Sequence, residues 1–391
     1  MAPCVLLLLL LGLGWAGPAG AAAPVHHELS VELDPPGHRI TVTDTVVLPA
    51  SLVTPEGTAV TFRLHPALAV AATEPGVALE PVADAPGDGA AYRVRLPAGV
   101  QTFSLRYTGE LHDPLSAEQD YARGFRQTSG LVAEEGAFLS GATLWVPQIG
   151  FEFVTFSLDV RLPAGWDAVS QGRRTAHRRD QDGTRARWEE EAPQEEIYLV
   201  AGPFTESSQR AGAVEVQVFL REPDPPLAGK YLEVGGQYLA MYSRLLGPYP
   251  YAKFALVENF WDTGYGMPSF TLLGSRIIRF PFILHSSYPH EILHNWWGNG
   301  VYVDWEQGNW CEGLTAYLAD HLIQEGRGAG AEYRQSTLQK YADYAAKGRD
   351  FPLREFRARH SSATEAVGYG KGLMFYHMLR RRLGDEAFVQ G

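Results

Sequence analysis

The stretch that decides the fold is HEILHNWWGN, residues 290–299. It holds two histidines four positions apart, with a glutamate directly after the first. If the stretch is helical, His290 and His294 lie on one face, one turn apart, so that both imidazoles can bind one metal ion. Glu291 then emerges beside the first histidine, within reach of a water on that ion. The spacing predicts a zinc site with Glu291 as general base.

A catalytic zinc ion needs a third protein ligand and an open position for water. The candidate is Glu312, which begins another predicted helix, with Leu314, Tyr317 and Leu318 spaced as one apolar face. A carboxylate at the edge of a buried face needs a partner, and a metal ion supplies one. The alternative is an exposed glutamate that the helix dipole favours at the helix start.

The chain before this region predicts strands. Apolar residues alternate with polar ones over residues 92–96, 103–107 and 156–162, the pattern of half-buried strands. Clusters of proline and glycine, such as residues 34–37, separate these runs. Many short strands with such turns favour a β-sandwich or saddle that extends to about Phe204.

The second half of the chain has a different spacing of apolar residues. After a strand at residues 214–220, helical patterns predominate. They predict helices over residues 231–246, 288–297, 310–324 and 369–383. We therefore expect an α+β protein, with a β-rich domain over residues 24–210 and a mainly helical domain over residues 211–391. The sequence ends at Gly391, eight residues after the last predicted helix, which is compatible with a natural terminus and with a truncated domain.

Residues 1–23 have the pattern of a signal peptide. A leucine-rich run over residues 5–13 is followed by small residues up to Ala23, although no lysine or arginine precedes the run. The run is shorter than the ~20 residues that span a bilayer. We expect an exported protein, secreted or periplasmic, with an uncleaved anchor or a misassigned start as alternatives. Removal of Cys4 would leave Cys311 alone, so no internal disulfide is expected.

The net charge of the chain limits the classes of molecule that it can bind. The formal net charge is −12, and phosphate binding needs a basic surface, so we expect no nucleic-acid partner. We also expect no membrane span in the mature chain. Composition leaves the oligomeric state open.

The metal segment resembles the aminopeptidase N family of gluzincin zinc metallopeptidases. The resemblance rests on HEILHNWWGN, on WCEG at residues 310–313 and on YGKG at residues 369–372, and IYLVAGPF at residues 197–204 is similar to the end of the family's saddle domain. It implies a thermolysin-like catalytic domain that hydrolyses peptide substrates. It further implies one zinc ion per chain on His290, His294 and Glu312, and Tyr369 as the residue that stabilises the oxyanion. The alternative for Tyr369 is a core tyrosine.

The sequence departs from the family in the spacing to its third ligand. The family usually places eighteen residues between the second histidine and the glutamate, whereas 312 − 294 = 18 leaves one fewer. The strict position is Gly313, which has no side chain to bind a metal. Glu312 remains the predicted ligand, and other acids nearby are weaker substitutes: Asp304, Glu306 and Asp320.

A second departure concerns the substrate's free amine, which the family binds with a Gly-Ala-Met-Glu-Asn strand. Two segments match in part. Glu258 keeps the acid, 290 − 258 = 32 residues before His290, while Tyr265, Gly266 and Met267 belong to a match that has no acid. Both are candidate substrate-binding segments. If the second occupies the strand, release of amino-terminal residues gives way to endopeptidase or altered specificity, and a catalytically weak binding scaffold is the remaining alternative.

Overall fold

The computed structural model describes residues 23–83, 85–117, 126–345 and 348–391. The predicted signal peptide falls almost wholly outside these ranges. Within them, no helix combines the length and the apolar character needed to cross a membrane.

The first half is built from strands. In chain order they are β1 (Val25–Asp34), β2 (Arg39–Val47), β3 (Thr58–Leu64), β4 (Ala69–Ala72), β5 (Ala78–Pro81), β6 (Ala90–Leu96), β7 (Thr102–Glu110), β8 (Ser116–Ala117), β9 (Arg126–Gln127), β10 (Gly130–Ala133), β11 (Gly136–Leu139), β12 (Val154–Leu162), β13 (Asp167–Val169), β14 (Arg173–Asp180), β15 (Gly183–Gln194) and β16 (Leu199–Gly202).

These strands form layered sheets around one core. The largest sheet has the order β14-β15-β12-β1-β2-β7-β4, and a four-stranded sheet has the order β10-β11-β16-β13. Smaller sheets are β3-β6-β5 and β8-β9. The predicted alternation is present in β7, where Phe103, Leu105 and Tyr107 are fully buried while their neighbours are not. Period-two burial on one face is what makes this half a β-rich layered domain.

The second half begins with strands and continues with helices. Its elements are β17 (Thr205–Ala211), β18 (Val214–Leu220), α1 (Pro225–Leu246), β19 (Lys253–Asn259), β20 (Gly264–Met267), β21 (Phe270–Gly274), α2 (Ser287–Leu293), α3 (Cys311–Ala316), α4 (Leu322–Gly326), α5 (Gly330–Tyr344), α6 (Ser362–Glu365), α7 (Gly372–Leu383) and α8 (Asp385–Gln390). Two π-helical segments, Tyr317–His321 and Ala366–Lys371, connect α3 to α4 and α6 to α7.

The strands of the second half form one sheet in the order β17-β18-β19-β21-β20. β18, β19 and β21 run parallel, whereas β20 pairs antiparallel with β21 and forms the edge. The hairpin of β17 and β18 spans the predicted boundary between residues 210 and 211. The α+β class, with a β-rich half followed by a mainly helical half, is confirmed.

The helix boundaries differ from the predicted ones for physical reasons. α1 begins six residues earlier than predicted, because Asp224 caps it by accepting a hydrogen bond from the Leu227 N–H at 3.1 Å, and Pro225 suits a first turn. α5 escaped prediction because only Gly330 in it is buried, so its sequence carries no apolar stripe.

Candidate active site

The two predicted histidines lie on one turn at the carboxyl end of α2. His290 is inside the helix, and His294 follows its last residue in helical conformation, with its N–H donating to the His290 carbonyl at 3.2 Å. Ile292 and Leu293 are fully buried and fix the helix against the core. Both imidazoles consequently face a cavity, with ring centroids 4.8 Å apart.

Glu312 reaches both histidines from α3. Its Oε2 lies 3.3 Å from Nε2 of His290 and 3.5 Å from Nε2 of His294. Gly313, the position that the family spacing would give to the acid, packs against α7. A Cβ added at Gly313 would lie 2.9 Å from the Cα of Gly372. The shortened loop therefore still presents a carboxylate to the histidines, while the next residue faces a neighbouring helix.

These three side chains fit a zinc ion. Their ligand atoms all lie within 4.8 Å of one another, and two imidazole nitrogens with one carboxylate oxygen form a donor set that catalytic zinc accepts. His290 and His294 both present Nε2 to Glu312. The Glu312 carboxylate lies between the two ring nitrogens, so a single cation could contact all three groups.

The outer nitrogen of His290 is held by Asp320, whose Oδ2 lies 3.0 Å from Nδ1. Asp320 was a possible substitute ligand, and the structure places it behind the first ligand instead. In a regular α-helix, a residue eight positions after Glu312 would be turned by about 80° from it. The π-helical turn Tyr317–His321 contains an extra residue per turn, which brings Asp320 back toward the same side.

The outer nitrogen of His294 has two partners. Its Nδ1 lies 3.3 Å from the carbonyl oxygen of Trp297 and 3.3 Å from Sγ of the buried Cys311. The other two substitute acids lie elsewhere: Asp304 caps a short helix by accepting from the Glu306 N–H at 3.1 Å. Neither of them lines the cavity.

The charges of the three candidate ligands are strongly coupled. Burial lowers the pKa of His290, but Asp320 and Glu312 together raise it to about 10. Burial also lowers the pKa of His294, and Glu312 then raises it well above the usual value. Burial raises the pKa of Glu312, yet the neighbouring histidines hold it well below its usual range. Histidine nitrogens bind a metal ion only in their deprotonated form, so binding of a divalent ion would release protons from this group.

Glu291 lies in the cavity wall directly opposite β20. Burial raises the pKa of its carboxyl group, against the lowering effect of His290 and His294. Gly266 of β20 approaches this carboxylate so closely that an added Cβ would overlap Oε2 of Glu291. An added side chain at this position would displace the Glu291 carboxylate, so glycine lets the edge strand lie close to the candidate base.

Tyr369 lies in the π-helical segment Ala366–Lys371 and stacks on His290, with ring centroids 6.0 Å apart and planes 15° from parallel. Burial, followed by the charge of Glu312, raises the pKa of Tyr369 well above its usual value. Its hydroxyl therefore keeps its proton and donates to Glu312. Lys371 is not in the cavity, because its Nζ donates to Asp350 at 2.8 Å and tethers the end of the segment.

The predicted substrate-binding residues separate into two groups. Tyr265, Gly266 and Met267 line the cavity beside the histidines. Glu258 does not: it is 2% exposed, and its carboxylate accepts from Nη1 of Arg279 at 2.7 Å and from the Arg221 N–H at 2.8 Å. The strand that faces Glu291 is the one without an acid.

The cavity has a volume of about 1460 Å³ and lies between the two halves of the chain. Its β-rich wall contributes Asp113, Glu195 and Glu196, and no lysine or arginine among the described lining residues. Burial raises the pKa of Glu195, with Glu196 adding to the effect. Its helical wall contributes two cations, Lys340 and Arg359.

Sequence reasoning missed the network behind the metal helix. Asn295 Oδ1 accepts from the Ser269 N–H at 2.6 Å, and Ser269 Oγ accepts from Nζ of the buried Lys253 at 2.7 Å. Ser269 has a φ of 67° in the turn between β20 and β21. The network ties this turn to the residue after His294. Only Asn295 gave a signal, by its place directly after the histidine.

Comparisons with known proteins agree with this geometry. Residues 286–391 match the model of the Peptidase family M1 domain. Human aminopeptidase RNPEPL1 is 24% identical over 248 residues, which are 59% of this chain and 33% of that protein. Aminopeptidase N of Lactococcus lactis subsp. lactis is 27% identical over 111 residues, 26% of this chain and 13% of that protein. The chain thus spans a third or less of these relatives.

Solved structures share the fold over almost the whole chain. An M1 zinc metallopeptidase from Deinococcus radiodurans aligns with a TM-score of 0.66 at 21% identity, covering 94% of this chain and 84% of that one. A mutant form bound to a Tyr-Ser-Ala substrate aligns with a TM-score of 0.67 at 18% identity, covering 94% and 85%. The predicted resemblance is confirmed in this respect: residues 286–391 match the Peptidase family M1 domain, and the chain shares the fold of these M1 metallopeptidases.

Proposed function

We propose that this protein is a zinc-dependent peptidase that uses one zinc ion per chain. The observation that carries the proposal is the group formed by His290, His294 and Glu312, whose ligand atoms lie within 4.8 Å of one another with Glu291 beside them. A bound zinc ion would supply a Lewis acid that activates water and polarises a peptide carbonyl.

The side chains around this group supply the other functions that peptide hydrolysis needs. Glu291 takes a proton from the attacking water and delivers it to the leaving nitrogen, a role that its place in the cavity beside the metal ligands favours. Tyr369 keeps its hydroxyl proton and donates a hydrogen bond to the developing oxyanion. Asp320 holds His290 in the tautomer that leaves Nε2 free. β20 offers its backbone beside the scissile bond as an edge strand.

Release of amino-terminal residues is our first candidate for the specificity. Several relatives are named aminopeptidases, and a solved neighbour binds a tripeptide substrate. The β-rich wall contributes three carboxylates, and we assign attraction of a substrate amine to two of them, Glu195 and Glu196. The absence of an acid from the strand facing Glu291, together with the engagement of Glu258 by Arg279, favours a second candidate, a peptidase that does not require a free amine.

The test combines metal analysis with cleavage of matched peptides. The purified protein should contain zinc. We expect removal of the zinc to abolish peptide cleavage, and addition of zinc to restore cleavage. Glu291→Gln should lower kcat by at least about a hundredfold, since loss of a general base costs that much. Glu306→Gln is the matched control, because Glu306 is an exposed acid outside the cavity. Metal-independent cleavage, or full activity of Glu291→Gln, would refute the proposal.

The same assay separates the two specificities. Each peptide is offered with a free and with an acetylated amino terminus. An aminopeptidase cleaves only the free form, and substitution of Glu195 and Glu196 by glutamine should raise its KM. Equal cleavage of both forms assigns the protein to the second candidate.

We also propose that the chain is exported after removal of residues 1–23, and that residues 24–210 and 211–391 form its two domains. The apolar run followed by small residues supports the first statement. Amino-terminal sequencing of protein secreted by an expression host tests it, and a mature chain that retains Met1 would contradict it.

A further inference from the structure

Ser269 holds a strained backbone conformation in the turn that joins β20 to β21. Its φ of 67° lies in the left-handed region, which glycine adopts freely and which residues with a side chain adopt at a cost. The residue is fully buried. Strain of this kind persists only where surrounding contacts impose it, and it points to a function for those contacts.

The polar atoms of Ser269 all have partners, and these partners come from three separate parts of the chain. Its N–H donates to Oδ1 of Asn295 at 2.6 Å. Its carbonyl accepts from the Ala255 N–H at 3.0 Å and from Nζ of Lys253 at 3.1 Å. Its hydroxyl oxygen accepts from Nζ of Lys253 at 2.7 Å and from the Gly172 N–H at 3.2 Å. The turn is thereby joined to β19, to the end of α2 and to the β-rich half.

Lys253 is enclosed between the two halves of the chain. It is 2% exposed, and its Nζ lies 5.2 Å from the ring centroid of Trp188 and 5.1 Å from that of Phe270. Trp188 belongs to β15 of the β-rich half, whereas Phe270 begins β21. A buried nitrogen is costly unless it has hydrogen-bond acceptors. Ser269 supplies two of them, and one of these two is the hydroxyl oxygen.

Asn295 connects the same turn to the helix that carries Glu291. Its Oδ1 accepts from Ser269, while its Nδ2 donates to the Glu291 carbonyl at 3.2 Å and to the Ile292 carbonyl at 3.0 Å. One fully buried side chain therefore holds the turn and the last turn of α2 at a fixed separation.

The position of β20 depends on this turn. β20 is an edge strand of four residues that pairs only with β21 among the described strands, and the turn is its connection to β21. Its Gly266 lies so close to Glu291 that an added Cβ would overlap the carboxylate. A small shift of the turn would therefore change the separation between the edge strand and the candidate base.

We propose, on the basis of the peptidase function proposed above, that Ser269 is a positioning residue, whose hydroxyl, held by Lys253 and Gly172, fixes β20 against Glu291. Ser269 itself does not line the cavity, so it acts through the strand. An extended substrate that pairs with β20 then has its scissile bond aligned with the Glu291 carboxylate.

Two substitutions separate the hydroxyl from the backbone strain. Ser269→Ala removes the hydroxyl and keeps the strain, whereas Ser269→Gly removes both and suits the turn. In the zinc-loaded enzyme we expect each to lower kcat for a peptide about tenfold or more, because a shift of ~1 Å can cost a hundredfold in rate. KM should stay near the wild-type value, since the substrate still pairs with β20. Wild-type kcat in Ser269→Gly would overturn the proposal.

The matched control is Ser275→Ala. Ser275 directly follows β21, its hydroxyl donates to the Asn259 carbonyl at 3.1 Å, and it lies outside the cavity. This variant loses a serine hydrogen bond beside the same sheet and should keep wild-type kcat. Urea unfolding checks that every variant is folded at the assay temperature, so that a lower kcat does not reflect lost protein.

A double-mutant cycle identifies the contact through which Ser269 acts. Lys253→Met removes the side chain that donates to the hydroxyl. If this contact carries the effect, kcat of Lys253→Met/Ser269→Ala should match that of the more impaired single variant. Losses that multiply in the double variant would contradict a route through this contact.

Amide hydrogen exchange separates this proposal from the peptidase function, because it needs no turnover. In zinc-loaded Ser269→Gly we expect the amides of residues 264–267 and 293–297 to exchange about fivefold or more faster than in wild type, while α1 is unchanged. That result supports the positioning role even if no peptide is cleaved. Unchanged exchange in both segments would contradict it, whatever the activity.

Discussion

Asp320 determines how firmly His290 holds a metal ion. Its carboxylate accepts from Nδ1 of His290 at 3.0 Å, and such outer partners fix the ring and its tautomer. We expect Asp320→Asn to weaken zinc affinity about 10- to 100-fold with little change in stability. Competition with a chromogenic chelator measures the affinity, and Asp343→Asn on the exposed α5 is the control. Unchanged affinity would show that Asp320 does not orient the ligand.

Gly266 is a residue whose missing side chain is required. A Cβ there would overlap Oε2 of Glu291, whose flexible carboxylate would then move. We expect Gly266→Ala to lower kcat by about tenfold or more, because displacing a general base costs rate, while the protein stays folded. Gly229→Ala is the matched control, since an added Cβ there meets nothing within 4 Å. Wild-type kcat in Gly266→Ala would contradict the geometry.

At this scale, the sequence predicted the residues whose spacing is set by a single turn. His290, Glu291 and His294 needed only the helix period. Asp320 and Arg359 gave no such signal, because a π-helical turn and a loop decide where they point. Glu258 matched the acidic residue of the family's amine-binding strand by residue type, but in the structure its carboxylate accepts a hydrogen bond from Arg279.

The crossing of α3 and α7 controls the position of Tyr369 relative to Glu312. Gly313 and Gly372 allow the two backbones to approach, with a Cβ at Gly372 lying 3.0 Å from the Gly313 Cα. We expect Gly372→Leu to destabilise the protein by about 1–3 kcal/mol through overpacking and to lower kcat. Urea unfolding and peptide assays measure the two effects. Gly229→Leu in α1 should change neither by a comparable amount.

The start of β19 contains a buried lysine that makes stability depend on pH. Burial lowers the pKa of Lys253 well below its usual value, although Glu190 opposes the shift. The unfolded chain then binds more protons at this site than the folded one, so stability rises with pH between the lowered pKa and about 10.5. Lys253→Met should reduce this rise.

Urea unfolding between about pH 7 and about pH 9 measures the effect, a window in which tyrosines stay protonated. Lys230→Met, on the exposed face of α1, is the control and should leave the pH dependence unchanged. If the free energy of unfolding rose equally with pH in wild type and in Lys253→Met, the rise could not be assigned to this lysine.

The whole molecule should become more stable when it binds zinc. The three candidate ligands come from α2, from the residue that follows it and from α3, and 17 residues lie between the two helices, so the unfolded chain has no preformed site. Zinc at a hundredfold excess over its dissociation constant should add about 2.7 kcal/mol of stability. Thermal unfolding with and without zinc measures this gain, and Glu312→Gln should lose most of it. A wild-type midpoint that zinc leaves unchanged would argue against the site.

The sequence by itself determined the order of a β-rich half and a helical half, and the two histidines with their glutamate, because strand alternation and the helix period are local properties of the chain. Tertiary structure alone decided that Asp320 lies behind His290 and which strand faces Glu291. Those outcomes depend on the π-helical turn after α3 and on the edge position of β20. Each of these outcomes brings together residues that are far apart in the chain, so local sequence spacing cannot predict it.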